Sequence, residues 1–190
     1  MHDWKKEAED LLPMMIDLRR QFHAHPELGN HEQETDRRIE HVLDDLDIPH
    51  TRICGTGITG TIGAGKPCVL LRADIDALPI KEETQFPYAS CHEGIMHACG
   101  HDLHMAALLG ALAILKKHED WYTGSVRFVF QPDEEGDGGA EFMIKEGVTD
   151  NVTACFALHV EPLEKTGNIQ IKDGAVILPP YSCVELRFVR

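Results

Sequence analysis

Cys68-Val69-Leu70-Leu71-Arg72-Ala73-Asp74-Ile75-Asp76 opens on a short apolar run and closes on two carboxylates. A run of this length following a Gly-rich turn, Gly63 to Pro67, reads as a buried strand. The same shape occurs twice more. Ser125 to Gln131 runs into Asp133-Glu134-Glu135, and the continuous apolar stretch Ala154 to His159 ends on its histidine. Between the first two lies His101 to Lys117, apolar nearly all round through Met105, Leu108, Leu109, Leu112 and Leu115. Such a helix is buried, and Lys116-Lys117 suits the negative end of its dipole. Buried strands alternating with helices predict an α/β fold, a mostly parallel central sheet flanked by helices.

Upstream, Ala8, Leu11, Leu12, Met15, Ile16, Leu18 and Phe22 follow helical spacing over residues 7–25. Pro13 is expected to kink this segment or to start its second half. A turn at His25-Pro26-Glu27-Leu28-Gly29 follows, then a helix with Ile39, Val42, Leu43 and Leu46 on one face, stopping before Pro49. Thr51 to Cys54 and Thr61 to Gly63 read as strands, Leu78 to Gly100 as irregular, and Ala140 to Glu146 as a short helix. Gly167 to Lys172 and Cys183 to Arg190 read as further strands, and there is no internal repeat.

The 190 residues carry 32 acidic against 18 basic side chains, a formal charge of −14. A surface this negative repels phosphate backbones and anionic lipid, so neither nucleic acid nor membrane is an expected partner. The start of the chain lacks the apolar core of a signal peptide, and the longest apolar window, Met105 to Leu115, is too short to span a bilayer. Six cysteines without a CxxC pair or framework spacing are expected to be reduced thiols, which makes the cytoplasm the expected address.

Two nucleotide-binding patterns fail on context. Gly55-Thr56-Gly57-Ile58-Thr59-Gly60 matches G-x-G-x-x-G, yet strands rather than a helix follow it. Gly60 to Lys66 approaches a phosphate-binding loop, but Pro67 stands where a hydroxyl belongs. Both read as hairpin turns.

Ligand sites in open α/β sheets lie beyond the carboxyl ends of the strands. The three strand ends bring Asp74, Asp76, Glu134, Glu135 and His159 to one crevice, and Cys99-Gly100-His101-Asp102 joins them from the start of the buried helix. Sulfur, imidazole and carboxylate together suit zinc and neighbouring divalent ions. On irregular or extended backbone Glu134 and Glu135 would point apart, one towards a metal and one towards a substrate as a proton carrier. Each residue alone is as well explained by a solvated loop or a core position; their convergence is what argues for a site.

At these residues the sequence resembles the aminoacylase and carboxypeptidase-type metalloamidohydrolases, in particular the branch of hippurate hydrolases, auxin-conjugate hydrolases and N-acetyldiaminopimelate deacetylases. The resemblance rests on Arg19-Arg20-Gln21-Phe22-His23-Ala24-His25-Pro26-Glu27-Leu28, Arg72 to Pro79, His97-Ala98-Cys99-Gly100-His101-Asp102, Gln131-Pro132-Asp133-Glu134-Glu135-Gly136 and Leu158-His159-Val160, in order and spacing. It implies a zinc-exopeptidase-like catalytic domain with Cys99, His101, Glu135 and His159 as ligands of two divalent ions, zinc or manganese. It implies Glu134 as the general base, Asp74 and Asp76 as the stretch that orients a ligand or tunes the site, and His97 and His104 as supporting residues. The implied reaction is hydrolysis of the amide bond of a small N-acyl amino acid or conjugate. A peptidase, a diaminopimelate deacetylase or a catalytically impaired metal-binding fragment is the alternative.

Members of the family continue into a lid and dimerisation domain and return with a last histidine ligand. By that pattern residues 1–180 are the amino-terminal part of the catalytic domain, 181–190 begin the lid, and the full-length form is a homodimer. The last ligand and the lid's substrate-binding residues fall outside this sequence, so little or no hydrolysis of N-acetyl or N-benzoyl amino acids is expected of residues 1–190 alone.

Overall fold

The computed structural model describes residues 2–161 together with 165, 167 and 169. Helix α1, Trp4–Ala24, begins where the Asp3 carboxylate accepts the Lys6 N–H, satisfying one of the amides that a helix start leaves open. Pro13 lies inside this one continuous helix, so a second start at Pro13 is not found. The proline removes one internal hydrogen bond, while the helix is held along its length against α3, His101–Lys117. The fit there is close: a Cβ on Gly110 of α3 would lie 2.3 Å from Met15 Sδ of α1. Helix α2, Gln33–Asp45, buries Ile39 and Leu43 as its spacing predicts.

Five strands form one sheet in the order β1-β2-β4-β3-β5. β1, His50–Ile53, and β2, Gly57–Ala64, make an antiparallel hairpin closed at Ile53↔Gly57. Cys54 (φ 54°) and Gly55 (φ 84°) turn the chain there, so the glycine-rich run is a turn and a strand, as read. The second glycine-rich turn is not a hairpin. β4, Gly124–Gln131, inserts between β2 and β3, Cys68–Asp74, antiparallel to one and parallel to the other. The insertion is tight: Ser125 N–H bonds to Pro67 O at 2.9 Å, and a Cβ on Gly124 would meet that same oxygen at 2.3 Å.

The expectation of a largely parallel sheet therefore holds for β4-β3-β5, where β5, Ala154–Ala157, pairs with β3. The β1–β2 half is antiparallel, and the sheet is mixed. Crossovers through α3 and through α4, Gly139–Lys145, return the chain for parallel pairing; the short turn between β1 and β2 can only reverse it. β5 is shorter and more exposed than the continuous apolar strand expected, and His159 lies two residues beyond its end. The strands expected at 167–172 and 183–190 fall outside the described residues, apart from Gly167 and Ile169.

α3 is the core. Met105, Leu109 and Leu112 are fully buried against Ile58, Ile62, Phe128 and Phe130 of the sheet and Phe22, Ile39 and Leu43 of the helices. Leu70 and Val129, which alternate with those sheet residues, pack with Met143 of α4 in a smaller cluster on the opposite face. No helix of the described residues is long and apolar enough to cross a membrane.

One carboxyl is buried at a cost. Asp36 of α2 is 0% exposed, neither carboxyl oxygen has a hydrogen-bond partner among the described residues, and Arg52 is 3.7 Å away. Burial outweighs Arg52, and with Glu32, Glu40 and Glu27 nearby it pushes the carboxyl up to about 8. The unfolded chain ionises Asp36 near ~3.9. The folded state thus holds a proton that the unfolded state has lost, and stability falls as pH rises from about 4 towards 8. Asp36→Asn is expected to flatten this decline. In urea unfolding at a series of pH values, its advantage over wild type should grow across that window by more than the ~1.4 kcal/mol carried by one unit of pKa difference. An advantage that does not change with pH would contradict the assignment.

Candidate metal centre

β3 ends on Asp74, Asp76 follows two residues on, and each of these buried aspartates takes hold of a different histidine of α3. Asp76 meets His101: Nδ1 lies 2.8 Å from the Asp76 carbonyl oxygen and 3.2 Å from its Oδ1. Asp74 meets His104, whose Nδ1 lies 2.6 Å from Asp74 Oδ1. Arg72 ion-pairs with Asp74 Oδ2 at 2.6 Å and donates from Nε to Gln131 Oε1 at the end of β4. With Nδ1 fixed, His101 can turn only Nε2 towards the crevice. α3 can begin at this spot because Gly100 adopts φ 86°, and a Cβ there would also strike Val160 Cγ2 at 2.4 Å.

His101 Nε2 is buried and has no hydrogen-bond partner among the described residues. Around it stand Asp74 Oδ2 at 3.7 Å, Glu135 Oε1 at 3.8 Å and Glu134 Oε2 at 3.9 Å. Cys99 Sγ and His159 Nε2 lie 3.4 Å apart and form a second ligand-type group with His101. His159 turns Nε2 to the site because its Nδ1 bonds the Val160 carbonyl oxygen at 2.7 Å. The crevice draws in positive charge: burial disfavours the His101 imidazolium, yet Asp76, Cys99 and Asp74 push its pKa up to about 11. A thiol, two imidazoles and paired carboxylates around an unpartnered buried nitrogen fit divalent cations of the zinc or manganese class. Isolated buried carboxylates would otherwise carry a desolvation cost of several kcal/mol per ion.

Asp74, Asp76, Cys99, His101, Glu134, Glu135 and His159 meet around this crevice, whereas Asp102 turns to α1, and one geometry differs from the expected one. Glu134 and Glu135 do not point apart. Residues 134–137 form a turn, not extended chain, and both carboxyls face His101 Nε2. What separates them is environment. Glu134 is the more enclosed, and burial, followed by the charge of Asp74, raises its pKa. Glu135 is anchored by its backbone N–H, which bonds Asp76 Oδ2 at 2.9 Å. Asp74 and Asp76 reach their neighbours through histidines. His104 also accepts the Val160 N–H at 3.0 Å, whereas His97 is buried with both ring nitrogens unpartnered among the described residues, and burial lowers its pKa to about 4.

Two supports were not visible in the sequence. Glu32 is 0% exposed and holds the glutamate loop, accepting Asp133 N–H at 2.9 Å and the Thr56 hydroxyl at 2.6 Å. As an acid in a polar stretch it gave no signal. Arg19 and His23 of α1 both contact Asp102 Oδ2, at 2.8 and 2.7 Å, fixing the first turn of α3.

The model of the family described as Peptidase family M20/M25/M40 matches residues 70–189. The chain is 42% identical over 171 residues to IAA-amino acid hydrolase ILR1-like 5 of Arabidopsis thaliana, covering 89% of this chain and 39% of that protein. It is 43% identical over 166 residues to N-acetyl-L-cysteine deacetylase of Bacillus subtilis (strain 168), covering 86% and 40%. The chain thus spans about two fifths of the length of these curated relatives. Among solved structures it resembles the YXEP protein of Bacillus subtilis, described as a dinuclear metal-binding peptidase from the M20 family, with a TM-score of 0.83 and 39% identity over 87% of this chain and 48% of that one.

Asp76 joins His101 to Glu135, so it controls two candidate ligands at once. Residues that orient a metal-binding histidine typically contribute 10–100-fold to affinity. Asp76→Ala is expected to weaken zinc or manganese binding by about that factor in calorimetric titration, with the far-UV circular dichroism unchanged. Unaltered affinity would show that the His101 ring needs no such clamp.

Proposed function

The chain belongs to peptidase family M20/M25/M40, and on that premise we propose that it carries the centre of a metal-dependent amidohydrolase that cleaves N-acyl amino acids or related conjugates. The observation that carries this reading is the buried His101 Nε2, without a partner among the described residues, facing Glu134, Glu135 and the Cys99–His159 pair. The substrate class is supported by two relatives, named as an IAA-amino acid hydrolase and an N-acetyl-L-cysteine deacetylase. The likeness to a dinuclear metal-binding peptidase supports two ions.

In this reading Cys99, His101, Glu135 and His159 hold the ions, zinc or manganese. Bound there, the metal would polarise the amide carbonyl and lower the pKa of water. Glu134 is the general base. Its half-buried carboxyl sits beside the ligand cluster without being needed to complete it, takes the proton of the attacking water and returns it to the leaving amine. Asp76 keeps His101 in one orientation, and Asp74, braced by Arg72, does the same for His104 at the wall formed by Val160. Residues 1–180 then form the amino-terminal part of the catalytic domain, and 181–190 lead into a lid segment.

Single substitutions separate the roles. Cys99→Ala, His101→Ala and Glu135→Ala are expected to lower the metal content of purified protein. Glu134→Gln should retain metal and, in an active form of the enzyme assayed on N-acetyl and N-benzoyl amino acids, lose about 10²- to 10⁴-fold in turnover. Equal metal loss on changing either glutamate, or normal turnover with Glu134→Gln, would overturn the division.

A further inference from the structure

A second group of metal-type ligands lies at the far end of α3. The helix starts at the proposed centre with His101 and runs 17 residues, so at 1.5 Å per residue its other end is about 25 Å away. There His118, just past Lys117, turns Nε2 to Glu7 Oε2 at 2.8 Å. His2 brings its own Nε2 to the same oxygen at 2.6 Å. Two imidazoles and a carboxylate, two from the amino-terminal stretch and one from the end of α3, thus meet at one point.

We propose that His2, Glu7 and His118 form a second metal site, taking one divalent ion of the imidazole-preferring class, zinc, nickel or copper. Two nitrogens and one oxygen make a donor set suited to these ions rather than to calcium or magnesium. Neighbouring ligands of a tetrahedral ion stand about 3.3 Å apart at the usual bond lengths of about 2.0–2.1 Å. The observed 2.6 and 2.8 Å need to open by about half an ångström. His2 precedes α1 and is partly exposed, so it can make that adjustment. Lys117 bonds the other carboxyl oxygen, Oε1, and leaves Oε2 to the ion. Each imidazole, now a hydrogen-bond donor to Glu7, would coordinate through Nε2 after moving its proton to Nδ1 or releasing it.

The surroundings are those of a binding site rather than a solvated surface pair. Glu7 and His118 are buried, and the cluster is walled by aromatic rings. Trp4 lies 4.4 Å from His2 and 5.2 Å from His118, and Trp121 lies 4.8 and 4.2 Å from the same two rings, centroid to centroid. Both indoles are themselves about half exposed, and they lay apolar surface against the charged centre. An ion here would staple the start of α1 to the end of α3, the helix pair on which the core is built.

Trp4 and Trp121 are the two tryptophans of the chain, so its intrinsic fluorescence reports this place and not the other centre. The test is titration of the 190-residue chain with Ni²⁺, a quencher of indole emission, alongside far-UV circular dichroism. Saturable quenching is expected, fitted by one quenching site per chain, together with a rise in melting temperature. His101→Gln should leave the quenching intact. His118→Gln and Glu7→Gln should weaken it at least tenfold, and so should His2→Gln, which lies outside the helices and does not endanger the fold. Three results would overturn the proposal: no saturable quenching, quenching abolished by His101→Gln, or quenching that disappears with His2→Gln yet survives His118→Gln. The last would mark a chelate of His2 with its own neighbouring backbone.

Discussion

The contact between Asp76 and His101 is the constraint on which the rest of the structure depends. It joins the end of β3 to the start of α3, and through Asp76 Oδ2 and the Glu135 N–H it reaches the end of β4. Three elements that arrive from separate parts of the sequence are thereby fixed to one another at the point where their chemistry converges. Because Nδ1 is committed to Asp76, His101 presents Nε2 alone. That nitrogen is buried without a partner among the described residues, and the acidic residues are arranged around it. A buried donor or acceptor left unpaired costs about 1–3 kcal/mol, and at His101 a bound ion would repay that cost.

Further from the site, the same logic is carried by α1 and the irregular stretch over residues 78–100. Arg19 and His23 grip Asp102, and His23 also meets Glu82 at 3.2 Å. Cys91 N–H bonds Ala24 O, and Ser90 N–H bonds the Glu82 carboxylate. A long stretch without helix or strand is thus pinned, bond by bond, to the end of α1. The Arg19–Leu28 motif works in large part as the anchor for the loop that delivers Cys99.

How far this was legible in the sequence varies with the physics of each element. α3 was read with both of its ends, because an all-round apolar helix followed by two lysines leaves little ambiguity. The convergence of Cys99, His101, Glu134, Glu135 and His159 followed from the placement of polar residues at strand ends. The insertion of β4 between β2 and β3 was not legible, since hydrophobic pattern identifies strands but does not order them. The mutual orientation of Glu134 and Glu135 was misread because it is decided by Asp133, which takes φ 52° and is locked by Glu32 from a distant part of the sequence. Side-chain alternation is a rule for extended chain, and a turn suspends it. The buried acids Glu32 and Asp36 gave no signal, as composition cannot distinguish an enclosed carboxylate from a solvated one.

The strand order has a consequence for how the molecule comes into being. β4 sits between two strands that precede it in the chain, so β2 and β3 have no partner on their facing edges until residues 124–131 arrive. Ile58 must wait for Phe130, and Asp74 for Gln131. Pairings of such high sequence separation carry a loop-closure cost before they return any stabilisation, which slows folding and leaves edges open meanwhile. On a ribosome, the emerging chain would hold a hairpin, two helices and an unpaired β3 for as long as α3 and β4 are still being made. The ligand-bearing ends of β3 and β4 come together only in that closing step. The centre is therefore a late product of folding rather than a seed for it, and no partial structure can offer an ion the full set of donors.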